Sequence, residues 1–502
     1  MKRFSAYIAA FGASVALIAM AAFTTLRTEG HWIYTLDDAY IHLALAKNFA
    51  LYGVWGLSPD TYTFCSSSPL WTLLLAGCMK VFGFREWIPG VLNILCVALI
   101  MWRCDRVMER NGLSVLPRLL VCVALFFITP LTVVASTGME HCLHMVLILY
   151  LLTSIRTAPL LVFAFLSTAA RFESLAVIVP LAGILLLDKR WKTALAMVAC
   201  GIAPIFLHGF YAQAHGGFFF PNSILLKGHM ELSLMRLSTI YLDIAFVKLH
   251  VVILCALLLF LAGLKSTSLC ERKIAFILVA AHVAQLTFGE IKLGNFYRYE
   301  IYIILPSFLL LATILYKRPR PNFHWDNGAL AARLMLLFAL CVPLAWRGFS
   351  ATRKVRAAAA NIYEQQCVMA RMFNALPGTP AIAINDLGAV SWYCANPILD
   401  LWGLGTTEIA AHKRSGTYNG DVIAELMNKQ HVEYIATYES WFPRAVIPAH
   451  FQHVAQLVNV NNVVCAEDRV QLYAMDDERA AHLREALSEL QLPSGTTVTF
   501  LK

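Results

Sequence analysis

Charge is what this 502-residue chain has least of: Asp, Glu, Lys and Arg make up 14% of it, against about 25% in an ordinary soluble domain. Hydrophobic residues make up 59%, which excludes a freely soluble globular protein. Metal-binding and redox cysteine patterns are missing as well. The 13 cysteines include no CxxC and no Cys/His cluster at ligand spacing, which argues against a zinc or thiol-redox module. No internal repeat or low-complexity stretch is evident, and a transporter of the inverted-repeat kind would show one.

What is present is a succession of apolar runs of about 15 to 24 residues in the first 347 positions. Each is about long enough to cross a hydrocarbon core of ~30 Å as a helix. The net charge of +9 sits in the same half: residues 1–347 hold 28 Lys+Arg against 16 Asp+Glu, and residues 348–502 hold 12 against 15. Basic residues confined to a membrane half point to topology rather than to nucleic acid.

Spans are expected near 4–26, 87–102, 119–135, 142–154, 159–170, 175–187, 193–211, 241–264, 274–288, 301–316 and 329–346, about eleven in all. The run 69–83 is short and contains Lys80, so it is read as a helix on the membrane surface. That choice puts 16 positive residues in cytoplasmic connections against 9 outside, with the N-terminus in the cytoplasm. An odd number of spans then places the C-terminus on the other side. The fold class expected is a polytopic α-helical membrane protein of residues 1–347, with a first external loop at 27–86, followed by an extracytoplasmic α/β domain of residues 348–502.

In that domain the apolar runs 381–384, 433–437 and 470–474 read as strands, and 418–428 and 477–490 as helices. Its cysteines allow a Cys394–Cys465 disulfide or three free buried thiols. Gly388, just after a strand, reads as a tight turn into a helix rather than a phosphate-binding turn.

Polar residues collect on the external side: Asp37 and Asp38, Glu140 and His141, Arg171 and Glu173, Lys227, then Glu290, Lys292, Arg298 and Tyr299. Ionisable groups near hydrocarbon are costly and tend to mark a site, although snorkelling anchors are the simpler account of any one of them. A carboxylate at the end of the first span can take a proton from an acceptor hydroxyl while cations hold a phosphate leaving group. Asp at a helix start is also a common cap. Two adjacent carboxylates can share a divalent cation, but no complete oxygen set is visible, so neither a metal nor a cofactor is expected.

The blocks DDAYI (37–41), SSSPLWTLLLAG (66–77), TGME (137–140), ARFES (170–174), FPNSILLKG (220–228), FYRYEIYIILP (296–306), NDLGAVSWY (385–393) and LDLWGLG (399–405) resemble, in order, the GT-C superfamily of polytopic membrane glycosyltransferases. The likeness is to the bacterial arabinofuranosyltransferase-like and mannosyltransferase-like branch. It implies transfer of a sugar, arabinofuranose among the options, from a polyprenyl-phosphate donor to a cell-envelope glycan, lipid or protein, outside the cytoplasm and with inversion. It also implies that an acidic residue of the first external loop, Asp37 or Asp38, is the catalytic base. ARFES departs from the commoner form at Phe172 and Ser174, and the usual Gly-Tyr-Thr lead before Ser66 is missing.

Lys227, Arg298 and Arg171 are the candidates to hold the donor phosphate. His42, four residues after Asp38, is placed to hydrogen-bond it or to face water. Glu140 is expected to fix an arginine such as Arg171, with Glu173 nearby. Tyr299 and Trp71 stack on sugar faces or sit in the interfacial aromatic belt, the belt being the preferred reading for Trp71. The competing class is a transporter or flippase of a lipid-linked sugar.

Overall fold

The computed structural model describes residues 4–227, 246–265, 267–288, 296–317 and 327–501. Its helices are α1 (Phe4–Thr25), α2 (Asp38–Tyr52), α3 (Pro69–Phe82), α4 (Ile88–Arg110), α5 (Val115–Ile128), α6 (Leu131–Ser136), α7 (His141–Leu152), α8 (Thr157–Ala170), α9 (Leu175–Leu187), α10 (Trp191–Ala214), α11 (Asn222–Lys227), α12 (Phe246–Ala262), α13 (Leu269–Phe288), α14 (Ile301–Lys317) and α15 (Asn327–Glu364). The C-terminal part adds α16 (Gln366–Ala375), α17 (Gly388–Tyr393), α18 (Thr407–Ser415), α19 (Gly420–Lys429) and α20 (Asp477–Glu489).

Three of these, α1, α4 and α10, are long and apolar enough by length and composition to cross a membrane. Seven other stretches of apolar helix run 10–17 residues. The outer faces show what solvent they were selected for. On α1, Phe4, Tyr7, Phe11, Val15 and Ile18 are exposed at helical spacing, whereas Ala6, Ala13 and Leu17 point inward. A stripe of large apolar side chains turned outward is the reverse of a water-soluble helix and suits lipid.

Two expectations change. The span expected at 119–135 is broken: Pro130 cannot continue a helix, and Thr129 before it turns to φ −101°, ψ 89°, as a residue preceding proline tends to do. The boundary expected at 347 falls inside α15, a single 38-residue helix that runs on into the C-terminal part. Helix α3, 14 residues long, buries Trp71, Thr72, Leu75 and Met79 and exposes Leu73, Lys80 and Phe82.

The C-terminal sheet has six strands, β1 (Ala381–Ile384), β2 (Ile398–Asp400), β3 (Val432–Thr437), β4 (Gln452–Asn459), β5 (Arg469–Ala474) and β6 (Thr496–Phe500), in the order β2-β1-β3-β5-β4-β6. β1 pairs in parallel with β2 and β3, in registers such as Ile384 with Asp400 and Ile384 with Ala436. The other pairings are antiparallel. Alternation along the strands feeds two cores. Ile382, Ile384, Tyr434 and Ala436 pack with α16 and α20, while Ala383, Leu399, Ile435 and Tyr473 pack with Ile409 of α18 and Ile423 and Met427 of α19. The first of these cores also contains Ile41 and Leu45 of α2, Trp55 and Phe64. The sheet domain is therefore built onto the loop that follows α1.

Candidate active site

Where α2 begins, the chain presents two carboxylates, and the structure turns them in opposite directions. Asp37 occupies the N-cap position of α2 without capping that helix. Its Oδ2 and Oδ1 instead accept hydrogen bonds from the backbone N–H groups of Gly388 (2.6 Å) and Ala389 (2.8 Å) in α17. Asp38 faces a cavity of about 330 Å³ whose lining includes His42, Ser66, Arg171, Glu173, Arg298 and Tyr299. Six of the candidate residues read from the sequence thus meet at one cavity, and Asp37 belongs to a different contact.

Arg298 donates to Asp38 Oδ2 at 2.7 Å and to the Tyr299 hydroxyl at 2.9 Å, and its Nη1 lies 2.6 Å from Met139 Sδ. At 1% exposure it is no snorkelling anchor. Burial works against its charge, but Tyr299 and Asp38 outweigh that and hold the guanidinium above its ordinary value. Arg171, also buried, pairs with Glu140 and, at 2.5 Å, with Glu173. Burial raises the Glu173 carboxyl, yet Arg171 pulls it below its usual range. Both guanidiniums lie within cation–π reach of the Tyr299 ring, Arg171 at 5.3 Å and Arg298 at 5.0 Å from its centroid.

Glu140 sits behind the cavity wall, fully buried, with His42 Nε2 3.5 Å from its other oxygen. His42 Nδ1 meets Thr72 at 3.2 Å and Ser66 at 3.3 Å. Burial lowers the His42 pKa, so a neutral imidazole is the form to expect at neutral pH. Trp71 is fully buried, in the core with Tyr40 and Leu75, not in an aromatic belt. The side chain of Lys227, and Glu290 and Lys292 entirely, lie outside the described residues. Arg171→Ala would leave Glu140 and Glu173 without their cation, a loss on the order of 3–5 kcal/mol for a broken buried pair. The expected result is a lower thermal midpoint in detergent.

Other lining residues were not singled out beforehand. Gln285 accepts from the Tyr302 hydroxyl at 2.9 Å, and its only sequence signal is an amide inside an apolar helix. Leu404 reaches the cavity from the sheet domain. It belongs to a loop that Asp400 staples by accepting from Trp402 N (2.8 Å) and Gly405 N (2.6 Å), and its carbonyl accepts from Asn222 Nδ2 at 3.1 Å. Burial pushes the Asp400 carboxyl up from 3.8 to about 6. Between those values the folded chain holds a proton that the unfolded chain has lost, so this group's contribution to stability declines as pH rises through the window. In Asp400→Asn, a plot of thermal midpoint against pH should lose that decline.

Gly388 has its reason in packing. A Cβ there would stand 2.0 Å from the Asp37 backbone oxygen and 2.6 Å from its Oδ2, so the close approach of Asp37 requires glycine; the tight strand-to-helix turn is also present, β1 ending at Ile384 and α17 beginning at Gly388. Both cysteines considered for a disulfide are free: Cys394 donates to Ala370 O at 3.3 Å and Cys465 to Gln366 Oε1 at 3.6 Å. Among the described residues no group of three or more His, Cys, Asp or Glu is arranged to hold a metal ion.

Residues 360–473 match a family described as a domain of unknown function, DUF8728. No curated protein matches the chain. Among solved structures, ArnT from Cupriavidus metallidurans bound to undecaprenyl phosphate is similar over 92% of this chain and 97% of its own, at 11% identity and a TM-score of 0.53. ArnT in the apo state is similar over 94% and 99%, at 12% identity and a TM-score of 0.51. The mycobacterial arabinofuranosyltransferase AftD (mutant R1389S) covers 92% of this chain and 41% of its own at 16% identity, but with a TM-score of 0.41 it is too distant to speak for the fold. The chain therefore has a fold like that of ArnT over 92–94% of its length.

Proposed function

We propose that this protein is an integral membrane glycosyltransferase that moves a sugar from a polyprenyl-phosphate donor to a cell-envelope acceptor. The observation that carries the reading is the Asp38–Arg298 pair at the cavity: a carboxylate partly open to it, hydrogen-bonded to a guanidinium that is 1% exposed. Asp38 is the general base that removes the proton of the acceptor hydroxyl. Arg298, with Arg171 and Lys227, takes up the charge of the departing phosphate. One guanidinium thus serves both ends of the reaction. Donor phosphate competes for Arg298, which releases the Asp38 carboxylate toward the acceptor. Attack from the face opposite the phosphate inverts the anomeric centre.

The fold supports this reading, since ArnT with that architecture has been seen with undecaprenyl phosphate bound. The charge asymmetry of the connections and the outward apolar stripe of α1 support a multi-pass protein of about eleven spans, with α5 taking the place of the one expected at 119–135, in a bacterial inner membrane, with the N-terminus in the cytoplasm and the sheet domain outside. The test is to incubate the purified protein with labelled polyprenyl-phosphate sugars, arabinofuranose included, and envelope extract. Label is expected in the acceptor fraction. Donor binding with no transfer to any fraction would overturn the reading in favour of transport of a lipid-linked sugar.

A further inference from the structure

Next to the cavity at Asp38, the first loop and the edge of the sheet leave a second opening. Leu404 lines the cavity, and its neighbour Gly405 lines a groove of about 520 Å³. A further opening of about 310 Å³ adjoins it, with residues 57–59, Ala395, Asn396 and Ile398 in the walls of both. Strand β2, which contributes Ile398, is an edge of the sheet. Helix α2 joins the two sites: Asp38 begins it and faces the cavity, while Lys47, Asn48 and Tyr52 line the groove from its other end. From Asp38 to Asn48 is roughly 15 Å along the helix axis.

Ser58, Thr61, Thr407 and Gln430 present hydroxyl and amide groups to this groove, and Tyr52 and Tyr62 add aromatic surface. Its lysines are engaged: Lys47 Nζ donates to the Trp392 carbonyl at 2.8 Å, and Lys429 pairs with Glu408 at 2.6 Å. Among the described residues its walls therefore hold no cluster of cations for a phosphate, and they are too polar for a lipid chain. Ser391, 2% exposed, stands in the wall with a hydroxyl that has no hydrogen-bond partner in the protein. Buried hydroxyls are ordinarily satisfied, so this one calls for a bound group. Neutral sugars match such a lining, since their hydroxyls both donate and accept and their ring faces stack on tyrosine. We propose that the groove holds a neutral oligosaccharide stretch of the acceptor. The acceptor is then a glycan chain whose reacting end lies at Asp38 while sugars further along it lie in the groove, a placement that rests on the glycosyltransferase reading. Affinity grows with chain length, because a single sugar at Asp38 is too short to reach the groove.

The test is calorimetric titration of the purified full chain in detergent, without donor. The probes are neutral fragments of arabinan, mannan and envelope glycan, each as a monosaccharide, a trisaccharide and a hexasaccharide, with a phosphorylated hexasaccharide and a hexapeptide beside them. A neutral hexasaccharide should bind more tightly than the shorter members of its series. Ser391→Ala should weaken it roughly two- to tenfold, the range of one hydrogen bond, with the thermal midpoint kept, because that hydroxyl has no partner in the fold to lose. Ala395→Trp, which fills the region common to both openings from an exposed position, should remove the gain from chain length. No binding of any neutral fragment, equal affinity at every length, tighter binding of the phosphorylated fragment or the peptide, or an unaltered affinity in either variant would overturn the proposal. Labelled donor then separates the two readings. Length-dependent binding without transfer would sink the glycosyltransferase and leave the groove a glycan site. Transfer to acceptors of every length alike, unchanged in Ala395→Trp, would keep the glycosyltransferase and sink the groove.

Discussion

Asp38→Asn is expected to lower sugar transfer by about 10²–10⁴-fold, the usual contribution of a positioned general base, while donor binding is kept. The amide still accepts from Arg298 but cannot take a proton from an acceptor hydroxyl. Removing the negative charge also frees Arg298, now 2.7 Å from that carboxylate, for the donor phosphate, so donor affinity should hold or rise. Equal loss of binding and transfer would instead make Asp38 a structural partner of Arg298. Thermal midpoints of the variant and wild type, measured in the same detergent, separate these outcomes from misfolding.

Gly388→Ala is expected to destabilise the protein markedly. The new Cβ would sit 2.0 Å from the backbone oxygen of Asp37, and a backbone atom cannot swing aside as a side-chain tip can. Relief requires the loop and the sheet domain to part, which breaks the two hydrogen bonds from Gly388 and Ala389. The cost is about 1–3 kcal/mol for overpacking, and activity should fall with it because Asp38 is the next residue. Gly77→Ala is the control: a Cβ there meets nothing within 4 Å, and alanine is favoured over glycine within a helix. Comparable destabilisation of both variants in thermal unfolding would remove the close approach as the cause.

Much of the architecture was legible because it depends on local pattern. The apolar runs marked most of the membrane-half helices, and the alternation in AIAI and VEYIAT marked β1 and β3. Strands β2, β4 and β6 escaped notice: β2 has three residues, β4 runs QHVAQLVN with polar residues at both ends and a bulge between His453 and Ala455, and β6 runs TTVTF with three of its five residues exposed, so none carries a clean periodic signal. The residues of the cavity were legible as types, since costly polar groups stand out against a chain with so few.

The sequence by itself determined that this is a membrane-embedded helical protein, that it carries an α/β domain at its C-terminus, and that Asp38, Arg171, Glu173 and Arg298 are candidates for one site. Only the tertiary structure decided which of two neighbouring aspartates faces the cavity. That choice depends on Gly388 arriving 351 positions further along the chain to take Asp37, and on Arg298 arriving from 260 positions away to meet Asp38. Hydropathy and spacing report what a residue needs from its near neighbours; the partner that satisfies a buried charge comes from packing, which no local pattern encodes.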